Sequence, residues 1–441
     1  MKQKVAFISE HASPLASLGG VDNGGQNVYV SELSTQLAGM GYEIDIYTRK
    51  DREDLPETVE WKPGIRVIHI QAGPAMYIPK EYLMDHMGAF ATAMQAYIRK
   101  NRLLYKLVHA HFFMSAMVAA KLKRELHLPY VITFHALGKV RRLHQQQADG
   151  FPVERLAIES FLVRDADCLI AECPQDRLDL IDHYRAATEK IEVVPCGFNP
   201  REFWPVDKQE ARERLGLRRQ DKIVLQLGRM VPRKGVEDVI RATASLQGHI
   251  RKLKLIVVGG EAELPDPAAT PEIRRLMQIA KDCRAEQTVQ FAGRKDRSVL
   301  KYYYSAADVF VSVPWYEPFG ITPLEAMACG TPVVGANVGG IKYSVVDRLT
   351  GFLVPPKDPV STARMIFQLM QDKFMHNYMR KNGLQRVNKM FTWEKVATSI
   401  DTVYEKIMSR RSILEAENRN YEESGIHRQR WNPDKEYSFQ R

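Results

Sequence analysis

Short apolar runs alternate with amphipathic stretches along most of the chain. Such runs, rich in Val, Ile and Leu, are typical of strands buried on both faces of a parallel sheet, and helical stretches separate most of them. In the first half, strands are predicted over residues 4–8, 43–48, 65–71, 106–111, 130–134, 168–172 and 191–194. In the second half, they are predicted over residues 223–227, 253–258, 289–292, 309–313, 332–334 and 351–354. This alternation predicts two α/β units, each with a parallel sheet covered by helices on both faces.

The pattern changes near Val194, where the string PCGFNPREFWP is rich in Pro and Gly and is typical of an interdomain linker. After residue 354 the pattern is helical to about Ser409, and the remaining residues show no periodicity. A chain of 441 residues with 45% hydrophobic residues is long enough for two cores. We therefore predict a first domain over residues 1–197, a second over 198–391, a helix over 392–409, and a charged tail over 410–441 that is poorly ordered or draped over the surface.

One strand–loop–helix segment, VFVSVPWYEPFGITPLEAMACGT, carries the strongest candidate for a ligand site. Thr322 occupies the position expected for an N-cap, Pro323 the first helical position, and Glu325 lies three residues beyond the cap. Backbone N–H groups at such a helix start, here in the string GIT, favour an anion such as phosphate. Glu317 and Glu325 flank this site. Spacing alone leaves open a capping-box role for Glu325 and an exposed loop position for Glu317.

Two further strings place charged or polar residues after predicted strands. GRMVPRKG follows the strand over residues 223–227, and its Arg229 and Lys234 are able to hold a phosphate as a planar fork and as a point charge. Arg233, in the same string, is predicted to be a solvated charge. His135 ends the strand YVITF at a carboxyl edge of the sheet, where ligands of α/β proteins bind. Solvated or structural roles remain the alternatives for these residues.

A glycine-rich string, GGVDNGG over residues 19–25, precedes a helix predicted over residues 26–38. Glycines in this position let a ligand approach the backbone closely. The string lacks the G-x-G-x-x-G spacing of dinucleotide-binding turns, and GRMVPRKG lacks the Walker A pattern. A flexible surface loop is the alternative interpretation.

The composition narrows the class of protein. No run approaches the ~20 apolar residues of a membrane span, and the first apolar run is shorter than the core of a signal peptide, which favours a cytoplasmic protein. The five cysteines show no C-x-x-C spacing, and no third ligand accompanies His109 and His111, so neither disulfides nor a metal site is predicted. The net charge of +10 is concentrated in the second half, which suits an anionic ligand such as a phosphate. Contact with an anionic membrane is the alternative, and no nucleic-acid-binding string is present.

These strings resemble, in order and spacing, the motifs of the retaining glycosyltransferases of family 4. EPFGITPLE resembles the E-x7-E motif of that family, GRMVPRKG its phosphate-binding string and TFHALGK its histidine string. The opening loop DNGGQNVY is similar to that of sucrose synthases, sucrose-phosphate synthases and the mycothiol-pathway glycosyltransferase. The resemblance spans roughly residues 4–405. It implies the GT-B fold, an α/β architecture of two facing Rossmann-like domains whose final helix crosses back to the first.

The resemblance implies a role for each matching residue. Glu317 would contact the transferred sugar and Glu325 the ribose hydroxyls, while Arg229 and Lys234 would hold the diphosphate and His135 would lie against the sugar. The implied catalytic residues are His135, Glu317, Arg229 and Lys234. The implied donor-binding residues are Gly25, Arg229, Lys234, Arg294, Glu317, Phe319, Gly320, Ile321, Thr322 and Glu325. No metal is implied, and no cofactor besides the donor substrate.

The acceptor side is implied by a second group of strings. IPKEYL, HALGK and VERLAIE resemble the places where the sucrose-phosphate synthases and the mycothiol-pathway enzyme keep cations for an acceptor phosphate. The implied acceptor-binding residues are Gln26, Lys80, His111, Lys139 and Arg155. Two neutral hydrogen-bond donors of the mycothiol-pathway enzyme are missing here, because Phe112 and Ala136 stand at the positions of a tyrosine and a threonine.

The sequence therefore predicts a retaining hexosyltransferase that closes over a nucleotide-diphosphate sugar of the UDP-glucose type. The sugar would pass to a hydroxyl of a small acceptor, for which we expect a phosphorylated sugar or polyol. A neutral sugar or a membrane lipid is the alternative acceptor. A sugar-nucleotide epimerase and a non-catalytic nucleotide-sugar-binding protein remain the alternative functions. The sequence carries no signal for the oligomeric state.

Overall fold

The computed structural model describes residues 3–16, 24–146 and 149–423, with the surroundings of side chains as far as residue 411. Within these ranges the strands form two separate sheets, one in each half of the chain. Helices connect the parallel strands of both sheets. The predicted α/β class with two parallel units is confirmed.

The first sheet has the spatial order β3-β4-β2-β1-β5-β6-β7-β8. Its strands are β1 (Lys4–Ile8), β2 (Glu43–Arg49), β3 (Thr58–Lys62), β4 (Ile65–Ile70), β5 (Leu107–His111), β6 (Tyr130–Thr133), β7 (Cys168–Ala171) and β8 (Ile191–Val193). All neighbours pair in parallel except β3, which runs antiparallel to β4 at the edge. The sequence analysis missed β3 because its string TVEWK is polar and half-exposed, unlike the apolar runs of the central strands.

The second sheet is entirely parallel, in the order β11-β10-β9-β12-β13-β14. Its strands are β9 (Lys222–Leu227), β10 (Leu253–Val258), β11 (Val289–Gly293), β12 (Val309–Ser312), β13 (Val333–Ala336) and β14 (Gly351–Val354). Every strand predicted in either half is present, with its ends shifted by at most two residues. The apolar runs located these strands well because both faces of each sheet are covered.

The helices of the first half are α1 (Gly25–Gly39), α2 (Met87–Lys100), α3 (Phe113–Leu126), α4 (Gly138–Gln145), α5 (Glu154–Asp165) and α6 (Pro174–Tyr184). Those of the second half are α7 (Lys208–Arg214), α8 (Val236–Ala244), α9 (Pro271–Asp282), α10 (Arg297–Ala306), α11 (Ile321–Ala328), α12 (Ile341–Ser344), α13 (Pro359–Gln371), α14 (Lys373–Met390) and α15 (Trp393–Glu423). Of the predicted glycine-rich loop, only Gly24 and Gly25 belong to the described residues.

Helix α15 crosses back to the first sheet. The backbone N–H of Trp393 donates to the Phe198 carbonyl at 3.2 Å, and further along α15 the Tyr404 hydroxyl lies 2.7 Å from Nδ1 of His109 in β5. The helix continues to Glu423, beyond the end predicted near Ser409. Residues 410–423 lack apolar periodicity but contain neither Pro nor Gly, and their Glu, Arg, Leu and Ala favour a helix. Residues 424–441 lie outside the described part.

A continuous apolar core runs from the first sheet to the second through Phe198, Phe391 and Trp393, all of which are fully buried. This core fixes the end of the interdomain linker against the start of α15. No helix in the described part of the chain has both the length and the apolar character needed to cross a bilayer.

Candidate active site

A cavity of about 300 Å³ lies between the two sheets, and loops at the carboxyl ends of strands line it. The first sheet contributes His11 after β1, Phe112 after β5 and His135 after β6. The second contributes Arg229 after β9 and the segment 316–322 after β12. The strings singled out in the sequence therefore meet in one place, although they lie far apart along the chain.

Most of the predicted site residues reach this cavity. Those that line it are Gly25, Gln26, Lys80, His135, Arg229, Lys234, Arg294, Glu317, Phe319, Gly320, Ile321, Thr322 and Glu325. Three residues predicted to bind the acceptor, His111, Lys139 and Arg155, do not line it. The roles of the lining residues stay predictions, because position alone assigns no ligand.

Lys234 and Glu317 form an ion pair at the centre of the second domain's side of the cavity. Burial raises the pKa of Glu317, but the positive charges of Lys234 and Arg233 outweigh this effect. The pKa of Glu317 therefore lies below the usual value. Burial lowers the pKa of Lys234 to about 8, despite the opposing effect of Glu317. The pair is therefore charged at neutral pH, and it holds one cation and one carboxylate where a diphosphate and a sugar are expected.

Arg233 is not the solvated charge that the sequence analysis predicted. Its Nη1 lies 3.5 Å from Oε2 of Glu317, and its guanidinium covers the ring of Tyr316 at 5.1 Å. The reason is local, because residues 232–234 form a 3₁₀ turn that ends at Gly235, whose φ is +68°. This turn directs both Arg233 and Lys234 towards the loop after β12.

The anion-binding helix start is present, but its cap differs from the prediction. Helix α11 begins at Ile321, and Gly320, with φ of +88°, occupies the N-cap position. Thr322 is therefore the second helical residue and not the cap. Gly replaces a side-chain cap here because the backbone takes a left-handed conformation that other residues disfavour. The first N–H groups of α11 have no acceptor inside the helix and lie at the cavity wall.

Glu325 is not a capping-box residue. Its carboxylate is buried, accepts a hydrogen bond from the Tyr304 hydroxyl at 2.8 Å, and lies 3.0 Å from Nη1 of Arg297. The capping interpretation fails because α11 starts two residues earlier than predicted, which places Glu325 on the face that packs against α10. The carboxylate still borders the cavity, so it remains able to accept hydrogen bonds from hydroxyl groups of a ligand.

His135 is held from two sides. Its Nδ1 lies 3.0 Å from Oε1 of the buried Glu172, and its Nε2 lies 3.2 Å from Nδ1 of His111. The backbone of His135 is left-handed, with φ of +56°. Burial, then His109 and His135, lower the pKa of His111 far below its usual value, so His111 is neutral. His111 therefore supports His135 from behind the cavity wall and does not form that wall.

His109 extends this stack of imidazoles away from the cavity. Its ring lies 4.3 Å from that of His111, and its two nitrogens pair with Tyr404 and with Thr133. Burial, together with His135, lowers its pKa to about 3. The described residues contain no group of three or more His, Cys, Asp or Glu side chains able to hold a metal ion.

Lys139 and Arg155 are engaged inside the first domain. Nζ of Lys139 donates to the His183 carbonyl and lies over the Tyr184 ring at 4.5 Å. Arg155 is 1% exposed, donates to Glu159 at 2.7 Å, and donates to the Ala136 carbonyl at 2.6 Å. A direct contact between either cation and an acceptor would require a rearrangement of these bonds. The structure therefore gives both residues a supporting place behind the wall.

Seven polar residues on the cavity wall were not among the site residues predicted from the sequence: His11, Arg141, Glu172, Arg233, Lys295, Arg297 and Tyr316. His11 follows β1 by three residues and pairs with Glu10 at 2.6 Å, so its place at a carboxyl edge was the available signal. Arg141 lies one half-turn beyond Lys139 on α4 and pairs with Asp149 at 2.8 Å. The string around Arg141 does not depart from an ordinary surface pattern, so the fold alone reveals this residue.

Comparison with known proteins agrees with this geometry. Residues 207–386 match the family model described as glycosyl transferases group 1, and residues 23–202 match that described as glycosyltransferase family 4. A D-inositol 3-phosphate glycosyltransferase of Corynebacterium diphtheriae is 33% identical over 411 residues, which cover 92% of this chain and 95% of that protein.

Two solved structures have the same fold. A sucrose-phosphate synthase from Thermosynechococcus elongatus superposes with a TM-score of 0.85 at 36% identity and covers 93% of this chain and 100% of its own. Anabaena HepE, in a complex with UDP-glucose, superposes with a TM-score of 0.72 at 20% identity over 91% of this chain and 99% of its own. These superpositions confirm the predicted two-domain GT-B architecture.

Proposed function

Because the chain belongs to the group 1 and family 4 glycosyltransferases, we propose that it transfers a hexose with retention of the anomeric configuration. The donor is a nucleotide-diphosphate sugar of the UDP-glucose type, and the acceptor is a hydroxyl of a phosphorylated sugar or polyol. One observation carries the proposal. Arg229, Lys234 and the start of α11 lie on the second domain's side of the cavity, and His135 lies on the first domain's side.

The charged groups support a sequence of events in this cavity. The diphosphate binds Arg229, Lys234 and the N–H groups at the start of α11, which stabilise the negative charge that develops as the bond to the sugar breaks. Glu317 is already paired with Lys234 and Arg233, which favours holding the sugar over attacking it. Retention then follows from attack by the acceptor hydroxyl on the face that the leaving phosphate vacates, and that phosphate takes the hydroxyl proton.

A phosphorylated acceptor is supported from two directions. The similar proteins include a D-inositol 3-phosphate glycosyltransferase and a sucrose-phosphate synthase. On the first domain's side, the cavity is lined by Lys80, Arg141 and His11. Each of these has an acidic neighbour in Glu81, Asp149 and Glu10, respectively. These positions form a polar wall facing the donor site.

Product analysis tests the proposed reaction. The protein is incubated with UDP-, ADP- and GDP-glucose, with and without phosphorylated sugars or polyols, and free nucleotide and new glycosides are measured. A new glycoside whose anomeric proton shows the donor's configuration by NMR supports the proposal. Nucleotide release with a changed sugar and no glycoside indicates an epimerase, and tight binding without turnover indicates a binding protein.

We expect Lys80→Ala and Arg141→Gln each to reduce the preference for a phosphorylated acceptor over its unphosphorylated analogue. A charge-assisted hydrogen bond contributes ~1.5–3 kcal/mol, so each variant should lose roughly ten- to hundredfold of that preference. Donor affinity should stay unchanged. Arg155 is left intact in this experiment, because it is buried against Glu159 and its loss would disturb the fold.

Lys100→Ala, an exposed change on α2, serves as the control. Equal rates for the two acceptors in the unmodified protein would contradict the phosphorylated acceptor. A preference that survives both substitutions would instead show that Lys80 and Arg141 are not the residues that contact the phosphate.

A further inference from the structure

Arg297 pairs with two acidic residues from different parts of the fold and feels the charge of a third. Its Nε donates to Glu202 in the interdomain linker, and its Nη1 lies 3.0 Å from Oε1 of Glu325 in α11. Glu32 of α1, in the first domain, is the third acid that acts on it. Arg297 itself is the first residue of α10 and lines the cavity. One guanidinium therefore lies between the donor side of the cavity, the linker and the first domain.

The guanidinium is fixed in this position. Its plane covers the ring of the buried Phe203 at 4.8 Å, and Nη2 is buried without a hydrogen-bond partner among the described residues. Burial lowers the pKa of Arg297, but Glu325 and Glu202 outweigh burial and raise it above the usual value. A planar fork is needed to contact two carboxylates at once, and a lysine ammonium supplies no such fork.

The linker connects this cation to the first domain through one turn of chain. Backbone N–H groups of Glu202 and Phe203 donate to the Asn199 carbonyl at 3.0 and 2.9 Å. At the start of this turn, the Asn199 side chain donates to Glu32 at 3.2 Å. At its end, Glu202 holds Arg297. A rotation of the domains about the linker must therefore change either the Asn199–Glu32 contact or the Glu202–Arg297 contact.

Glu325 is the shared partner in this arrangement. Tyr304 and Arg297 fix its carboxylate, and the proposed function gives the same carboxylate to the ribose of the donor. Ribose hydroxyls that donate to Glu325 compete with Arg297 for the oxygens of that carboxylate. The contact between Arg297 and Glu325 then weakens relative to the contact between Arg297 and Glu202. Because a buried charge that loses one partner is strongly destabilised, such a change is transmitted to the linker.

We infer that Arg297 is a positioning residue that couples occupation of the ribose site at Glu325 to closure of the two domains through Glu202. This inference rests on the proposed function, because it needs a nucleotide at Glu325. It predicts that cutting the link at Glu202 separates nucleotide binding from closure. A residue with a purely structural role would change the melting temperature without separating the two.

The experiment compares the intact protein with Glu202→Gln, Arg297→Lys and the exposed control Glu213→Gln. Affinities for UDP, ADP and GDP are measured by calorimetry, kcat by product formation, and closure by the change in radius of gyration on nucleotide addition. In Glu202→Gln we expect a loss of the nucleotide-dependent compaction, a lower kcat, and a roughly tenfold lower nucleotide affinity, because coupling between binding and closure is reciprocal and typically of this size. In Arg297→Lys we expect affinity and kcat both to fall.

The outcomes distinguish the inference from the function on which it rests. An intact protein that binds none of the three nucleotides overturns the proposed function and the inference with it. An intact protein that binds and compacts, with Glu202→Gln equal to Glu213→Gln in compaction and kcat, overturns the coupling alone. Should Arg297→Lys fail to fold, Glu202→Gln still decides, because it removes a charge only from the linker end of the network.

Discussion

Replacement of both Arg229 and Lys234 by Ala is expected to lower the affinity for the nucleotide-diphosphate sugar by about 10²–10⁴-fold. Each side chain supplies a charge-assisted contact of ~1.5–3 kcal/mol to the diphosphate. If the two free energies are additive, their sum corresponds to this loss of affinity. The loss should be larger still in kcat/KM, because the charge on the diphosphate grows as the bond to the sugar breaks. Calorimetric titration with UDP and initial rates with UDP-glucose measure both effects.

A matched control removes the same net charge from the surface of the second domain. Arg241 and Lys281 are exposed on α8 and α9, so Arg241→Ala plus Lys281→Ala changes long-range attraction without touching the cavity. Loss of affinity in this control would assign the effect to electrostatic steering, which falls with added salt. A cavity variant that binds UDP as tightly as the control would show that the diphosphate lies elsewhere.

The lowered pKa of Lys234 leads us to expect a pH dependence of the reaction. Burial lowers its pKa to about 8, so the ammonium loses its proton as the pH rises through that value in the free enzyme. The charged form binds the diphosphate, and kcat/KM for the donor should therefore fall above about pH 8. Lys234→Arg keeps a cation at all accessible pH values and should remove this decline. A profile that is unchanged in Lys234→Arg would assign the titration to another group.

The sequence located most of the residues on the second domain's side of the cavity, because this side is built from local segments. The strings EPFGITPLE and GRMVPRKG each hold a strand end, a turn and a helix start, and their spacing fixes which backbone groups reach the ligand. The errors are also local. Thr322 was expected at the cap, whereas Gly320 takes that position because its backbone adopts a conformation with positive φ, and spacing cannot report a dihedral angle.

The acceptor side was harder to predict, because it is assembled from segments that are distant along the chain. Arg155 lies on the expected helix, but Phe112, Phe113 and Phe151 surround its guanidinium at 4.5–4.9 Å. The pattern along α5 does not reveal that this face meets those rings. The sequence placed a cation near the cavity and could not determine that Arg155 supports the wall from behind.

The contacts of Arg297 are also formed between segments that are distant along the chain, so local sequence patterns did not predict them. Its partner Glu202 lies 95 residues earlier in the chain, and each residue alone resembles an ordinary surface charge. Only the position of α10 against the linker brings them together. Local patterns therefore predicted which residues line the second domain's side of the cavity, whereas long-range packing determines which residues pair across the linker.

Removal of the His135 imidazole is expected to reduce kcat by roughly 10²–10³-fold, the range for loss of one positioned polar group at a reacting centre. Nucleotide affinity should change by less than about threefold, since the imidazole lies on the side of the cavity opposite Arg229 and Lys234 and two charge-assisted contacts remain. His135→Ala tests this expectation, and so does His135→Asn, because Asn tolerates the left-handed backbone found at this position. Rates with UDP-glucose and calorimetry with UDP separate the two quantities.

Replacement of Glu172, which contacts His135, is expected to have a smaller effect than replacement of His135 itself. Its carboxylate lies 3.0 Å from Nδ1 of His135, so Glu172→Gln keeps an acceptor for that nitrogen but removes the negative charge. We expect a smaller loss of kcat than in His135→Ala, again with UDP affinity retained, because the ring stays in place while the hydrogen bond that orients it loses its charged partner. His249→Ala, an exposed histidine in the second domain, should behave like the unmodified protein. Equal losses of kcat and UDP affinity in His135→Asn would place the imidazole against the nucleotide and contradict its position at the sugar.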